Sequence, residues 1–397
     1  MQSRIATALR HLGAAIEHVE YDPAEVPMVG EFAAPGAMEA GRRAALLGRF
    51  AGRGGGRSLI LFAHPDCEPV AGTERWRYDA FAGALADGRL YGWGAADDLT
   101  GIAIMVEALS AVQEAGALLG GDVIVASTPS KRHARGVAAL LHAGLSADAA
   151  IYLHPAESGA GLAEIKAFAS GQVEFRVTVA GRPPPTTEPL QTAFAHLAVN
   201  PIEKALLVVA ALQALDARRA PNVRHPALDA AVGRSTNLML SHLAAGEPDR
   251  LARSATECVV GGALSFPPPE TLASVSAVME TAIGEACAAD PWLRDHPARL
   301  SFVSGVTGAE TPADHPLFRT AAEAVLAVTG APPRVNPMHT ASDIRVPIVQ
   351  AGIPTIGLGP LCGDLAQNGG TDEWIDVEDY LRTIRVTARI VAAWCGT

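Results

Sequence analysis

The 397-residue sequence predicts an α/β protein with a mostly parallel mixed sheet, helices on both faces of that sheet, and an inserted ferredoxin-like α+β domain. Short apolar segments alternate with helical patterns, and this alternation is typical of βαβ units. After residue 154 the rhythm changes to β-α-β-β-α, which is the order of the split βαβ motif. The alternation of helix and strand then resumes at 315–329 and 353–358, which indicates that the second domain interrupts the first.

The individual elements follow from local patterns. Residues 1–19 carry apolar side chains at helical spacing, which predicts an amphipathic N-terminal helix. In the first domain, strands are predicted at 58–63, 122–127, 149–153 and 353–358, and helices at 100–116, 136–144, 315–329 and 376–394. In the inserted domain, strands are predicted at 173–179, 236–243, 258–266 and 299–304, and helices at 201–215 and 269–287. The predicted boundaries are 1–170 and 305–397 for the first domain and 171–304 for the inserted domain.

Composition excludes several classes of protein. The chain is 49% hydrophobic and 18% charged, as in ordinary globular proteins, and its net charge of −11 opposes binding to nucleic acid or anionic membranes. The sequence contains no apolar run of the roughly eighteen residues that a membrane span needs. Arginines interrupt the N-terminal segment, unlike a secretory signal, and five scattered cysteines suit a reducing compartment. We therefore expect a cytoplasmic enzyme whose main partner is neither nucleic acid nor membrane.

Polar side chains follow the first predicted strand of the large domain. Residues 59–63 are continuously apolar, as in a strand buried on both faces of a parallel sheet. His64 and Asp66 come next, two residues apart, so both side chains point into the crevice where open α/β sheets bind ligands. This position predicts a metal site, with Cys67 beside it as an alternative ligand.

Four segments resemble one family in order and spacing. They are 64–66 (HPD), 87–101 (DGRLYGWGAADDLTG), 151–155 (IYLHP) and 351–355 (AGIPT). The family is that of the co-catalytic zinc peptidases, which includes acetylornithine deacetylase, succinyl-diaminopimelate desuccinylase and carboxypeptidase G. The resemblance extends from roughly Tyr21 to the C-terminus. It implies a metal-dependent hydrolase whose inserted domain closes over the active site and forms a homodimer or a higher homo-oligomer.

The resemblance assigns the ligands of one metal ion. It implies that His64 is a ligand whose ring Asp66 orients, and that Asp97, the first acid of an Asp-Asp pair, is a second ligand. His154, which precedes a proline, takes the third position. Together these residues form a His-Asp-His set with nitrogen and oxygen donors.

The ligands of the family's other metal ion are missing. Lys131 and Arg132 stand where the family has a Glu-Glu pair, and residues 367–371 (QNGGT) lack the family's late histidine. All ligands exclusive to one metal are absent and those of the other remain, so we expect one divalent ion per chain, with Mn²⁺ or Zn²⁺ favoured. Lys131 and Arg132 either replace the lost metal's charge and bind an anion, or belong to a solvated loop.

Candidate substrate-binding residues come from two regions. Arg345 is a candidate carboxylate clamp, because a guanidinium can bind both carboxylate oxygens, unless it pairs with Asp343. The resemblance also implies an inserted-domain histidine that contacts the substrate oxyanion. In this chain that role is lost or belongs to His196 or His225.

The missing glutamate base limits the reactions that this site can catalyse. A lysine in its place is protonated at neutral pH, so broad peptidase activity is not expected. One possibility is hydrolysis of an amide or acyl-amino bond in a small carboxylate-bearing substrate, with Asp98, His133 or His339 as replacement base. His339 is alternatively a replacement metal ligand or a loop cap. The other possibilities are removal of the amino group from an electron-poor aromatic acid, such as a nitroanthranilate, and a catalytically silent binding protein.

Overall fold

A computed structural model of the chain describes residues 1–33, 41–129, 134–155, 158–339, 342–362 and 370–396. The strands are β1 (Ala15–Tyr21), β2 (Glu31–Phe32), β3 (Arg43–Phe50), β4 (Leu59–Ala63), β5 (Ala84–Ala86), β6 (Arg89–Tyr91), β7 (Val123–Ser127), β8 (Ala149–Leu153), β9 (Glu164–Ile165), β10 (Phe168–Ala169), β11 (Gly171–Ala180), β12 (Asn237–Ala245), β13 (Glu257–Phe266), β14 (Arg299–Val306), β15 (Ala309–Glu310), β16 (Arg334–Val335), β17 (Thr355–Leu358) and β18 (Trp374–Asp376). The helices are α1 (Gln2–His11), α2 (Thr100–Glu114), α3 (Arg135–His142), α4 (Pro201–Asn222), α5 (Pro226–Val232), α6 (Leu272–Ala289), α7 (Pro291–Asp295), α8 (Pro316–Thr329), α9 (Arg345–Ala351) and α10 (Val377–Cys395).

The chain divides into two compact units. Unit 1 comprises Met1–Val29, Gly36–Ala169 and Ala309–Thr397, and unit 2 comprises Gly30–Pro35 and Ser170–Gly308. Unit 2 therefore begins one residue before the predicted boundary at 171, extends four residues beyond 304, and includes a short N-terminal segment.

The main sheet of unit 1 is mixed and mostly parallel. Its strand order is β1-β3-β7-β4-β8-β17, in which β4 pairs in parallel with both β7 and β8, and β17 pairs in parallel with β8. At one end of the sheet, β3 pairs antiparallel with both β1 and β7. This arrangement confirms the predicted fold class.

Strand β4 is buried on both faces of that sheet, as its apolar run predicts. Leu59 and Leu61 point into one hydrophobic core, which α1, α2, α8 and α10 also line. Ile60 and Phe62 point into a second core on the opposite face, which includes residues of α3 and α9. Because alternate side chains face opposite cores, sliding the strand by one residue would exchange the two sets.

Unit 2 has the ferredoxin-like order. Strands β11, β12, β13 and β14 form an antiparallel sheet in the order β12-β13-β11-β14, and β2 extends its edge. Helices α4 and α6 supply apolar side chains to the core of this unit. By length and composition alone α6 would pass as a membrane span, but its buried residues pack in that core, as in the core helix of a globular domain.

The N-terminal prediction was wrong in its second half. Helix α1 ends at His11, and residues 15–21 form strand β1 instead of continuing the helix predicted to residue 19. Gly13 has a positive φ of 87°, a conformation that ends helices. β1 then pairs with β3 along its whole length, so tertiary pairing overrides the helical spacing of its apolar residues.

Gly121 occupies a position without space for a side chain, which yields a stability prediction. A Cβ at this position would lie 1.9 Å from the main-chain oxygen of Arg57, and the Gly121 N–H donates to the Cys395 oxygen at 2.9 Å. We expect Gly121→Ala to lower the free energy of unfolding by about 1–3 kcal/mol, as overpacking does. Urea denaturation followed by circular dichroism measures this change.

Gly284 is the control, because it lies in α6 with no atom within 4 Å of an added Cβ. Gly284→Ala should be neutral or stabilise the protein by up to about 1 kcal/mol, the helix preference of alanine over glycine. Equal effects of the two substitutions would contradict the steric argument.

Candidate functional site

Three predicted ligands converge at the carboxyl edge of the parallel sheet. His64 follows β4, His154 follows the neighbouring strand β8, and Asp97 lies in the turn Ala95–Leu99 before α2. The Nε2 atoms of His64 and His154 lie 3.0 and 3.1 Å from the same oxygen, Asp97 Oδ1. All three side chains are buried, and one ligand atom from each lies within 4.8 Å of the other two.

The outer nitrogen of each imidazole contacts a main-chain carbonyl. His64 Nδ1 lies 2.9 Å from the Asp66 oxygen, and His154 Nδ1 lies 2.8 Å from the Pro155 oxygen. The Asp66 carboxylate is farther from the His64 ring, at 3.8 Å. Orientation of that ring therefore involves the main chain of Asp66 more closely than its side chain. Such contacts fix the tautomer that leaves Nε2 available to a metal.

This donor set fits a divalent metal ion. Donor atoms bound to one metal at about 2.0–2.2 Å lie roughly 3–3.5 Å apart, which is the spacing between each imidazole and the Asp97 oxygen. Two imidazole nitrogens and one carboxylate oxygen suit Zn²⁺ and also Mn²⁺. Within the described residues, this is the group of histidine, cysteine and acidic side chains that could hold a metal.

The charges of the cluster are strongly coupled. Burial acts to lower the pKa of His64, but the hydrogen bond to Asp97 and the charges of Asp98, Asp97 and Asp66 outweigh it and raise that pKa to about 10. Burial acts to raise the pKa of Asp97, but hydrogen bonds from His154 and His64 hold it well below its usual range. Asp97 is therefore an ionised carboxylate in a buried site, where a cation is favoured.

Glu373 supports the turn that presents Asp97. Its buried carboxylate accepts the main-chain N–H groups of Gly94, Ala96 and Asp97 at 2.9, 2.6 and 3.0 Å. Burial raises the pKa of Glu373, and these three N–H groups oppose that rise. This role of Glu373 was not predicted, because no local pattern in the sequence indicates which main-chain groups a distant carboxylate will bind.

Asp98 lies behind the ligand cluster. Its carboxylate accepts the main-chain N–H groups of His64 at 3.3 Å and Gly101 at 3.2 Å, and the side chain is fully buried. Burial raises the pKa of Asp98 to about 7. These contacts position the main chain that carries His64 and the first turn of α2.

His339 and Arg345 have partners outside the ligand cluster. His339 Nε2 lies 2.9 Å from Glu164 Oε1, and His339 does not belong to the candidate metal group among the described residues. Arg345 is buried at the start of α9, where its Nη1 donates to the Ser342 oxygen at 3.0 Å and lies 3.7 Å from Asp343. Substrate binding by Arg345 and acid-base action by His339 stay predictions.

The remaining candidates lie in unit 2 or outside the described residues. His196 is exposed in the turn Thr192–Leu197, and His225 is half-buried at the start of α5. Their roles toward substrate stay predictions. Lys131, Arg132 and His133 lie outside the described residues. Lys166 was not predicted to be near the site, but it is a buried lysine whose Nζ lies 3.2 Å from His154 Nδ1.

The sequence is similar to curated proteins over half or all of its length. The chain is 33% identical over 215 residues to a succinyl-diaminopimelate desuccinylase of Methylobacterium radiotolerans, a match that covers 52% of the chain and 49% of the relative. It is 24% identical to an N-formyl-4-amino-5-aminomethyl-2-methylpyrimidine deformylase of Bacillus subtilis, over 100% of the chain and 89% of the relative.

Solved structures share the fold. Aminopeptidase PepT from Bacillus cereus has a TM-score of 0.71 at 18% identity, covering 98% of this chain and 91% of its own. The M20 metallo-carboxypeptidase Sso-CP2 from Sulfolobus solfataricus has a TM-score of 0.68 at 13% identity, covering 99% and 93%. Residues 60–393 match the profile of peptidase family M20/M25/M40, and this match covers most of the chain. The protein therefore belongs to the peptidase family M20/M25/M40, a family of metal-dependent hydrolases.

Proposed function

We propose that the protein hydrolyses a C–N bond other than an ordinary peptide bond in a small carboxylate-bearing substrate, using one divalent metal ion. The observation that carries this proposal is the convergence of His64, Asp97 and His154 on one buried point. An ion held there would act as a Lewis acid toward the substrate and activate a water molecule. Cleavage of an acyl-nitrogen bond is the favoured reaction, because the relatives are named as a desuccinylase and a deformylase.

The proposal of a single metal ion rests on the pattern of missing ligands. The family's other metal needs a Glu-Glu pair and a late histidine, but this chain has Lys131 and Arg132 at the first place and residues 367–371 (QNGGT) at the second. The ligands that remain are the ones that converge in the structure. We therefore propose a mononuclear site with Mn²⁺ or Zn²⁺.

The replacement for the lost glutamate base is drawn from three candidates. Asp98 is fully buried and both of its contacts are main-chain N–H groups, which favours a positioning role over proton transfer to a substrate. His339 is buried against Glu164. His133 immediately follows Lys131 and Arg132 in the sequence, and so is the remaining candidate closest to the family's base position.

Metal content and activity together test this function. We expect protein saturated with Mn²⁺ or Zn²⁺ to hold about one metal ion per chain, and His64→Ala or Asp97→Ala to abolish binding, since three donors are needed for a tight site. Elemental analysis after gel filtration measures this ratio. His18→Ala is the control, because His18 is exposed on β1. A ratio of two would contradict the mononuclear site.

The same protein is then assayed against acyl-amino acids, dipeptides and substituted anthranilates. Chelator-sensitive release of an acyl group supports the favoured reaction, whereas release of ammonia from an anthranilate would show the aryl-amine reaction instead. A metal-loaded protein without activity on this panel would favour the silent alternative.

The two cations that replace the Glu-Glu pair yield a separate prediction. If Lys131 and Arg132 supply the charge of the missing metal, alanine at either position should lower kcat/KM by a factor on the order of 10 to 1000, as expected for removal of a charged stabiliser. Arg49→Ala is the control, because Arg49 forms a surface pair with Glu17 at 3.7 Å. If kcat/KM of the double alanine variant stayed within about twofold of wild type, the charge-replacement role would be excluded.

We also propose that unit 2 forms a homodimer. Strand β12 is an edge strand, so its outer hydrogen-bonding groups are available to another strand. Apolar side chains on β12 and the adjacent helix α4 are exposed: Leu206 by 55%, Met239 by 61% and Leu243 by 58%. Exposed apolar residues on and next to an open sheet edge are typical of a protein interface.

Light scattering tests the dimer. The wild type should have twice the mass of the chain, and Leu206→Glu should shift the population toward the monomer because it buries a charge in the interface. Leu326→Glu is the matched control, since Leu326 is 45% exposed on α8 of unit 1. A monomeric wild type, or equal effects of both substitutions, would exclude this surface.

A further inference from the structure

Lys166 is a fully buried lysine next to a candidate metal ligand. It follows β9, its side chain is 1% exposed, and its Nζ lies 2.9 Å from the Pro155 oxygen and 3.2 Å from His154 Nδ1. The ring of Tyr152 lies alongside, 5.9 Å from Nζ, and stacks on the His154 ring with centroids 5.1 Å apart. The ammonium group therefore contacts the side of His154 that faces away from Asp97.

The fold holds the main chain of Lys166 in a fixed place relative to His154. Lys166 and Gly357 exchange two main-chain hydrogen bonds of 2.8 and 2.7 Å, and Gly357 belongs to β17, which pairs with β8. His154 directly follows β8, and its N–H donates to the Leu358 oxygen at 3.2 Å. A Cβ at Gly357 would lie 3.2 Å from Cβ and Cδ of Lys166, so the glycine leaves room for the lysine stem.

Packing alone does not account for the ammonium group. Burying a charge is costly unless it is paired, and a methionine would occupy a similar volume without that cost. In the part of the chain that the structure describes, no carboxylate lies within ion-pair distance of Lys166. The nearest acid in sequence, Glu164, is engaged by His339 at 2.9 Å and by the Ser158 hydroxyl at 2.5 Å. The Lys166 ammonium donates to the Pro155 carbonyl and lies beside the His154 imidazole, directly after β8.

We propose that Lys166 is a positioning residue that holds His154 in its metal-binding orientation. Its Nζ donates to the Pro155 oxygen, which lies 2.8 Å from His154 Nδ1. The lysine therefore holds the Pro155 carbonyl in place, and that carbonyl in turn orients the His154 ring. With Nδ1 held in this way, Nε2 points to the position shared with Asp97 and His64. Groups that bind the outer nitrogen of a metal-bound histidine commonly change metal affinity by about 10–100-fold. The inference rests on the proposed metal site.

The test compares metal affinity with stability in Lys166→Met. We expect the affinity for Zn²⁺, measured by competition with a chromophoric chelator, to fall by about 10–100-fold. The metal-free variant should unfold at the same denaturant concentration as wild type or at a higher one, since methionine removes a buried charge. Lys166→Arg, which keeps the charge and the N–H donors, should bind Zn²⁺ more tightly than Lys166→Met. Lys204→Met is the control, because Lys204 pairs with Asp290 in unit 2.

The visible absorption spectrum of Co²⁺-loaded protein provides a second readout, since it reports the geometry of the ligands. It should differ between wild type and Lys166→Met and remain unchanged in Lys204→Met. Unchanged Zn²⁺ affinity and an unchanged Co²⁺ spectrum in Lys166→Met would overturn the positioning role, and so would a variant that fails to fold. A wild type that binds no metal would instead refute the proposed function itself.

Discussion

Three buried carboxylates set the main constraint on the site. Asp97, Asp98 and Glu373 are all removed from water, and an ionised carboxylate in that environment needs several hydrogen bonds or a cation. Glu373 accepts three main-chain N–H groups, Asp98 accepts two, and Asp97 interacts with two imidazoles. The turn that carries Asp97 and Asp98 must therefore fold with N–H groups directed at Glu373. The contacts of Asp97 with His64 and His154 join it to the two side chains that a metal would share.

The parallel pairing of β4 and β8 brings those two side chains together. Phe62 pairs with Tyr152, so His64 and His154, each two residues further along, leave the sheet at the same level. The main chain at Gly359 also packs closely against His154, since a Cβ added to Gly359 would lie 2.3 Å from the His154 main-chain oxygen. Two candidate ligands placed at the ends of adjacent strands of a packed sheet have little freedom to separate, which is the pre-organisation that a metal site requires.

The sequence was informative where one local pattern determines the outcome. The apolar run of β4 predicted its burial on two faces, and the family resemblance predicted that His64, Asp97 and His154 would meet. It was misleading where long-range pairing competes with local preference. In β1 the apolar residues have helical spacing, but seven residues pair with β3 and form a strand. It was silent on Glu373 and Lys166, because their roles depend on contacts with main-chain atoms far away in the sequence. The sequence does not show which main-chain N–H or carbonyl group a side chain will contact, so such partners are found only in the structure.

The position at which unit 2 is inserted allows its length to change. Phe168 and Ala169 of β10 pair with Ala309 and Glu310 of β15, so the long segment of unit 2, Ser170–Gly308, begins and ends at one short antiparallel ladder of unit 1. The ends of the insertion are adjacent, and closure of even a long loop between adjacent points costs only slightly more as the loop grows. Length changes within this segment therefore leave the strand register of unit 1 unchanged. The catalytic scaffold can keep its ligand geometry while the inserted unit acquires new loops, a new interface or a different size.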